Sequence, residues 1–252
     1  MSSLAIACVF FGCSFGAALI GTRIRLPAHH LDTDSRDVVK LVMGLIATMS
    51  ALVLSLLIAS ANSSYDQQQN ELDTLSANIV VLDRTLDFYG PDAKAARDAL
   101  RDIVWKTHDR IWSRDGVRPE MLTSTETQRS AKANMERLLS LSPRTDVQRI
   151  MLSRAVQEMD SISQSRLLMT AQLHSSIAWP FLAVLVFRIS MLFFGFGLFA
   201  RVNATVVLAV FVGSISVAGA IFLILELNDP YRGLMRISDE PLRNAISEID
   251  HP

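Results

Sequence analysis

The stretch Ile177–Ala200, IAWPFLAVLVFRISMLFFGFGLFA, decides how the chain is read. It is about as long as one bilayer crossing, which takes ~20 apolar residues, and Arg188 stands at its centre. The apolar halves, Ile177–Phe187 and Ile189–Ala200, are each too short to cross alone. An arginine at mid-bilayer costs roughly 2.5–3.5 kcal/mol on insertion scales. Arg188 is therefore expected to face protein, water or an anion rather than lipid.

Three further runs qualify as spans: Leu4–Gly21, Val38–Ala61 and Ala204–Leu225. They carry no mid-span charge, Lys40 lying at the mouth of the second. The composition agrees, with 50% hydrophobic residues and a mean hydropathy of +0.30. The first run lacks a positively charged leader, and Arg23 and Arg25 follow it, so it reads as a retained span rather than a signal peptide. A lipoprotein reading of Cys8 fails because only seven residues precede it. The expectation is an all-α integral membrane protein with four transmembrane helices in two hairpins, residues 1–61 and 177–225. A soluble insert, 62–176, lies between them, and a tail, 226–252, forms a surface turn and short helix.

The insert is balanced in charge, with 15 Lys/Arg against 16 Asp/Glu, which gives no reason to expect nucleic acid. It reads as helical. Leu72, Leu75, Ile79, Leu82, Leu86 and Tyr89 alternate spacings of three and four, a heptad-like, coiled-coil-like seam. The seam fits packing against other insert helices or against a second subunit. With no Gly or Pro between Gly44 and Gly90, the second span is expected to continue into this helix. Gly90-Pro91 breaks it. Further helices are predicted from Pro91 to about Asp115, over Thr125–Leu141 and after Pro143, with a turn at Arg114–Ser124. The last of these runs on toward the third span, where Trp179-Pro180 is a possible kink.

Catalytic signatures are missing: no Gly-rich phosphate loop, HExxH, nucleophile elbow or Cys/His metal cluster stands out. No enzyme activity, cofactor or metal is expected. The five histidines are scattered, and the pair His29-His30 reads as a solvent-exposed loop. Cys8 and Cys13, both within the first span, read as packing residues. Gly12 and Gly16 stand in a small-xxx-small register that lets helix backbones approach, and Gly213 and Gly219 repeat the theme in the fourth span. Ser50, Ser55, Ser214 and Ser216 either line a water path or bond their own helix.

No Asp or Glu lies inside any span, and Glu226 stands at the end of the fourth, so Arg188 lacks a same-depth acidic partner. Backbone carbonyls, hydroxyls or snorkelling to an interface could satisfy it. So could an acidic group of another protein, or an anion in a conduction path, where rings of Arg or Lys favour anions. Counting Lys and Arg near span ends gives five on the short-loop side (Arg23, Arg25, Arg36, Lys40, Arg201). The insert and tail side has four (Arg166, Arg232, Arg236, Arg243). The balance favours a periplasmic insert and termini.

The C-terminal third, Phe194–Ile246, carries Phe196-Gly197-Leu198-Phe199-Ala200, Ser216-Val217-Ala218-Gly219-Ala220 and Leu225-Glu226-Leu227-Asn228-Asp229-Pro230-Tyr231. Gly233-Leu234, Arg236-Ile237-Ser238 and Pro241-Leu242 follow. This tract resembles the bestrophin-like bacterial membrane protein family. The resemblance implies a distant relation to bestrophins, oligomeric anion channels with four spans per subunit. The implied partners are the lipid bilayer of a bacterial inner membrane, further copies of the chain and a small inorganic anion such as chloride. The acidic calcium-binding cluster of animal bestrophins is not matched beyond Asp239-Glu240. Read from its residues alone, Asp229-Pro230 with Gly233 is turn chemistry, and Ser238 before Asp239, Glu240 and Pro241 caps a helix Pro241–Ile249. The alternative to an anion channel is a non-conducting scaffold or sensor whose insert binds a partner.

Overall fold

The computed structural model describes residues 3–24, 33–113, 116–117, 125–173, 179–200, 203–228, 231 and 234–250. Eight α-helices are found there: α1 Ser3–Arg23, α2 Thr33–Tyr89, α3 Lys94–Ile111, α4 Thr125–Leu139, α5 Asp146–Leu173, α6 Trp179–Phe199, α7 Ala204–Leu227 and α8 Glu240–Asp250. Of these, α1, α2, α6 and α7 are long and apolar enough to cross a membrane. One short antiparallel ladder, Trp112–Ser113 (β1) with Gly116–Val117 (β2), interrupts the helical pattern where a plain turn was expected. The loop of His29 and His30 lies outside the described residues, as do the rest of the 114–124 turn and the passage from α5 to α6. Pro180 stands in the first turn of α6, where its missing N–H leaves no intrahelical bond unmade.

The chain divides into two compact units, one of residues 1–64 and 176–229, the other of 65–175 and 230–252. Helix α2 runs without a break through 57 residues, so it contributes to both. It ends at Gly90, whose φ of 106° is a conformation that side-chain-bearing residues rarely adopt. Asn203 starts α7: its side-chain oxygen accepts a bond from the Val206 N–H at 3.0 Å, as an N-cap should.

In the first unit α1 lies against α6 and α7. Phe10, Leu182, Leu185, Ile189 and Ile221 form its apolar centre, and Val53, Leu54 and Leu57 of α2 pack on them. The backbones come closest at Gly21 and Gly197. A Cβ on Gly21 would overlap the Phe194 carbonyl, and one on Gly197 the carbonyl of Ala18. The expected packing glycines are placed differently. Gly12, Gly16 and Gly219 have nothing within 4 Å of a virtual Cβ, and Gly213 meets the Phe193 ring at 3.2 Å.

The second unit buries the whole seam Leu72, Leu75, Ile79, Leu82, Leu86 and Tyr89. Its partners are residues of the same chain, among them Leu100, Val104, Leu138 and Met159, so this seam is not a surface left for a second subunit. The tail seats its turn and short helix on the insert, adding Tyr231, Ile237, Leu242, Ile246 and Ile249 to that core. Its helix α8 is amphipathic, with Leu242, Ala245, Ile246 and Ile249 buried at three-to-four spacing, which is why it seats on a core rather than in water. Polar contacts fix it: Arg84 pairs with Glu248, the Trp105 indole N–H donates to Asp250 at 3.0 Å, and His108 meets Asp239 at 3.1 Å. The helix start has the expected cap, the Glu240 N–H donating to the Ser238 hydroxyl at 3.1 Å.

Candidate functional site

Within the first unit, α2 carries three different lines of residues. Met43, Ser50, Leu54, Leu57 and Ala61 face the bundle: Ser50 and Ala61 are buried, and Met43 lies against Gly195. A second line, Leu41, Leu45, Leu52 and Leu56, is open, with Leu41 75% and Leu52 71% exposed. Large apolar side chains of that kind suit lipid. A third line is small and partly polar: Gly44, Thr48, Ala51, Ser55, Ala59 and Asn62, all exposed and spaced by three or four residues. Lys40 and Asp37, paired at 3.2 Å, stand at its head. Small and hydroxylic residues gain little from acyl chains, so this line suits a close helix neighbour or water.

Of the hydroxyls singled out in the sequence, Ser50 donates to the Ile46 carbonyl at 2.7 Å and Ser216 to Val212 at 3.0 Å. Both therefore bond their own helix, as does Thr48 to Leu45 at 2.9 Å. Ser214 is wholly buried in α7, and among the described residues its oxygen has no hydrogen-bond partner. Only Ser55 lies on the small exposed line of α2. The companions Gly44, Thr48 and Ala51 escaped the sequence reading. Their signal was available: small residues recurring at helical spacing through a span otherwise made of Leu, Val and Ile.

Arg188 borders the buried stripe Leu182, Leu185, Ile189 and Leu192 on one side and exposed Val184, Phe187 and Met191 on the other. It is half-buried and makes no hydrogen bond or ion pair among the described residues.

The Bestrophin-like domain matches residues 8–242. The chain belongs to the Bestrophin-like family. The match covers nearly the entire sequence and corrects the narrower likeness seen in the C-terminal third. Solved structures agree in fold. A single-residue variant of a bacterial bestrophin homologue from Klebsiella pneumoniae superimposes with a TM-score of 0.70 at 13% identity, covering 98% of each chain. The same homologue, phased on zinc, gives 0.68 at 14%, covering 99% of this chain and 98% of the other. A variant described as a membrane protein gives 0.69 at 12%, with coverage of 99% and 98%. None of the curated proteins matches. Four apolar helices and this kinship make the chain a helical membrane protein.

Of the tail residues that first suggested the Bestrophin-like family, Asp229, Pro230 and Gly233 lie outside the described residues. Arg236 is exposed, and Pro241 sits in the first turn of α8. Tyr231 is 2% exposed within the second unit's core, and among the described residues its hydroxyl has no hydrogen-bond partner. Burial, reinforced by nearby Glu71, pushes its pKa up to about 12. A raised pKa means the fold favours the neutral phenol. Its contribution is present below the unfolded pKa of ~10 and lost as pH rises through the folded value. Tyr231→Phe is accordingly expected to raise stability at neutral pH by ~1 kcal/mol, since a buried hydroxyl without a partner is removed. It also flattens the alkaline fall in stability that begins near pH ~10. Thermal unfolding of both proteins at pH 7.5 and at pH 10.5 measures this; an unchanged alkaline slope rejects it.

Proposed function

We propose that the chain is one subunit of a homo-oligomeric channel of the bacterial inner membrane that conducts anions such as chloride. The α1–α2 and α6–α7 pairs act as two membrane hairpins, with the helical insert on one side of the bilayer. The observation that carries the reading is the small line of α2, Gly44–Thr48–Ala51–Ser55, beside a leucine line fitted to lipid. Turned toward an axis shared by several copies, it supplies a water-tolerant wall. Kinship with the Bestrophin-like family supports a channel of this kind. Arg188, without an acidic neighbour among the described residues, supplies positive potential that favours anions over cations.

Ion flux through purified protein in liposomes, with chloride, nitrate and potassium compared against empty vesicles, tests the reading. Anion-selective flux is expected. Ser55→Leu is expected to cut it strongly by narrowing the small line, while Leu52→Ala on the neighbouring line leaves it near the parent rate. Arg188→Leu is expected to lower the preference for chloride over potassium; an unchanged ratio takes Arg188 out of the path. If well-folded oligomer passes no ion, the chain is instead a scaffold or sensor whose insert binds a partner.

A further inference from the structure

The second unit holds a half-open cavity of about 60 Å³ lined by residues of α2, α3, α4 and α5. Its wall is apolar, formed by residues such as Leu75, Val104, Met159 and Ile162. Asn134 is the exception. It is 0% exposed, lies on the core face of α4 with Thr127 and Leu138, and among the described residues neither its carbonyl oxygen nor its amide nitrogen has a hydrogen-bond partner. A leucine would fill such a position without penalty. A buried carboxamide with nothing to bond loses its water contacts for no return, at a cost of roughly 1–3 kcal/mol for each group left unmade. The Trp112 indole N–H, also on the cavity wall, is buried and likewise without a partner.

A carboxamide presents a donor and an acceptor side by side in one plane. Its complement is another carboxamide or a neutral, protonated carboxyl group, which closes two bonds at once; an ionised carboxylate only accepts and bonds the amide N–H alone. The indole N–H adds a second donor for a carbonyl oxygen. Size agrees with a small occupant. One water needs roughly 10–15 Å³ of such space, so about four waters, or a molecule of four to six heavy atoms, fit. Access is built in: Ala131, Met159, Ser163 and Arg166 wall both the cavity and an open groove of about 440 Å³ beside α4 and α5. Burial lowers the pKa of Arg166, which stands at that passage.

We propose that this cavity binds a small molecule carrying a primary amide or carboxyl group on a short apolar tail, recognised by Asn134. The two probes are propionamide and propionate. Saturation-transfer NMR on the full-length protein in detergent micelles reads their binding, with Asn134→Leu and Trp112→Phe as comparisons. Saturable binding of one or both probes to the parent is expected, weakened about tenfold or more in Asn134→Leu, as the loss of a paired hydrogen bond in an apolar site requires. Propionamide binding alone assigns a neutral carboxamide ligand; propionate binding as well brings the Arg166 passage into recognition. Trp112→Phe keeps an aromatic ring on the cavity wall while removing the donor, so it tests recognition even where Asn134→Leu does not fold. Absence of saturable binding to the parent, or equal affinity in the variants, means that the cavity holds water alone and overturns the proposal.

Discussion

Gly197→Val is expected to dismantle the first unit. A Cβ at this position overlaps the Ala18 carbonyl and lies 3.1 Å from the Thr22 nitrogen, while Gly21 makes the reciprocal approach to Phe194 and Leu198. The obstacle is backbone on both sides, so no side-chain rotation relieves it and α1 must move away from α6. Overpacking of this kind costs typically 1–3 kcal/mol, and a valine wedged between two backbones is expected at or above ~3 kcal/mol. Gly12→Ala and Gly16→Ala are the informative controls. With nothing within 4 Å, they are expected to be neutral or to stabilise by up to ~1 kcal/mol, because alanine is the better helix former. Size-exclusion chromatography after graded heating in detergent separates the cases. A Gly197→Val protein as heat-resistant as the parent contradicts the packing described.

The second large effect is expected from Arg97→Met. Asp83 of α2 is 3% exposed and is held by a fork from Arg97, with Nε to Oδ1 and a terminal nitrogen to Oδ2 both at 2.8 Å. The same guanidinium also pairs with Asp87, and its pKa is raised, chiefly by the hydrogen bonding to Asp83. Removing the arginine strands a carboxylate in an apolar core, which costs on the order of 3–5 kcal/mol. Arg101, with its Nε 3.6 Å from Asp83, moderates the loss toward the lower end. The double variant Arg97→Met/Asp83→Leu is expected to recover most of the stability, because replacing a buried pair by apolar groups is often neutral. Asp87 is mostly exposed and suffers little without its partner. Denaturant unfolding followed by tryptophan fluorescence gives the values. Recovery no better than the single variant means that the ion pair itself, rather than the cost of an orphaned charge, carries the stability.

Much of the architecture was legible because it rests on local patterns. The four apolar runs, the seam Leu72–Tyr89 and the stop at Gly90-Pro91 are periodicities and breakers, which need no knowledge of neighbours. The cap at Ser238 is equally local. Helix contacts were harder. Gly12-xxx-Gly16 matches the small-residue pattern better than the isolated Gly21, yet Gly21 and Gly197 are the glycines that meet, because contact depends on two faces and a register shows only one. The residues on which the tail seats were hidden for a related reason. Residues 230–250 are far in sequence from the heptad helix, and only the fold shows that Leu242, Ile246 and Ile249 complete its core. Asn134 resembles any polar residue of an exposed helix until its neighbours are known. Orientation was faintest of all, since five cations against four impose almost no bias across a bilayer.

The membership of α8 in the core of residues 65–175 has a consequence for the ribosome. At roughly 5–20 residues per second, seconds pass between synthesis of the seam helix and emergence of the segment that covers it. Both α6 and α7 must be translated in that interval. Until Leu242, Ile246 and Ile249 arrive, the apolar surface they cover stays open to water and to chaperones. The first unit's spans therefore have time to enter the membrane before the second unit can close. A stalled or shortened nascent chain would present a finished set of spans joined to an unfinished, adhesive domain, the form that quality-control proteases recognise.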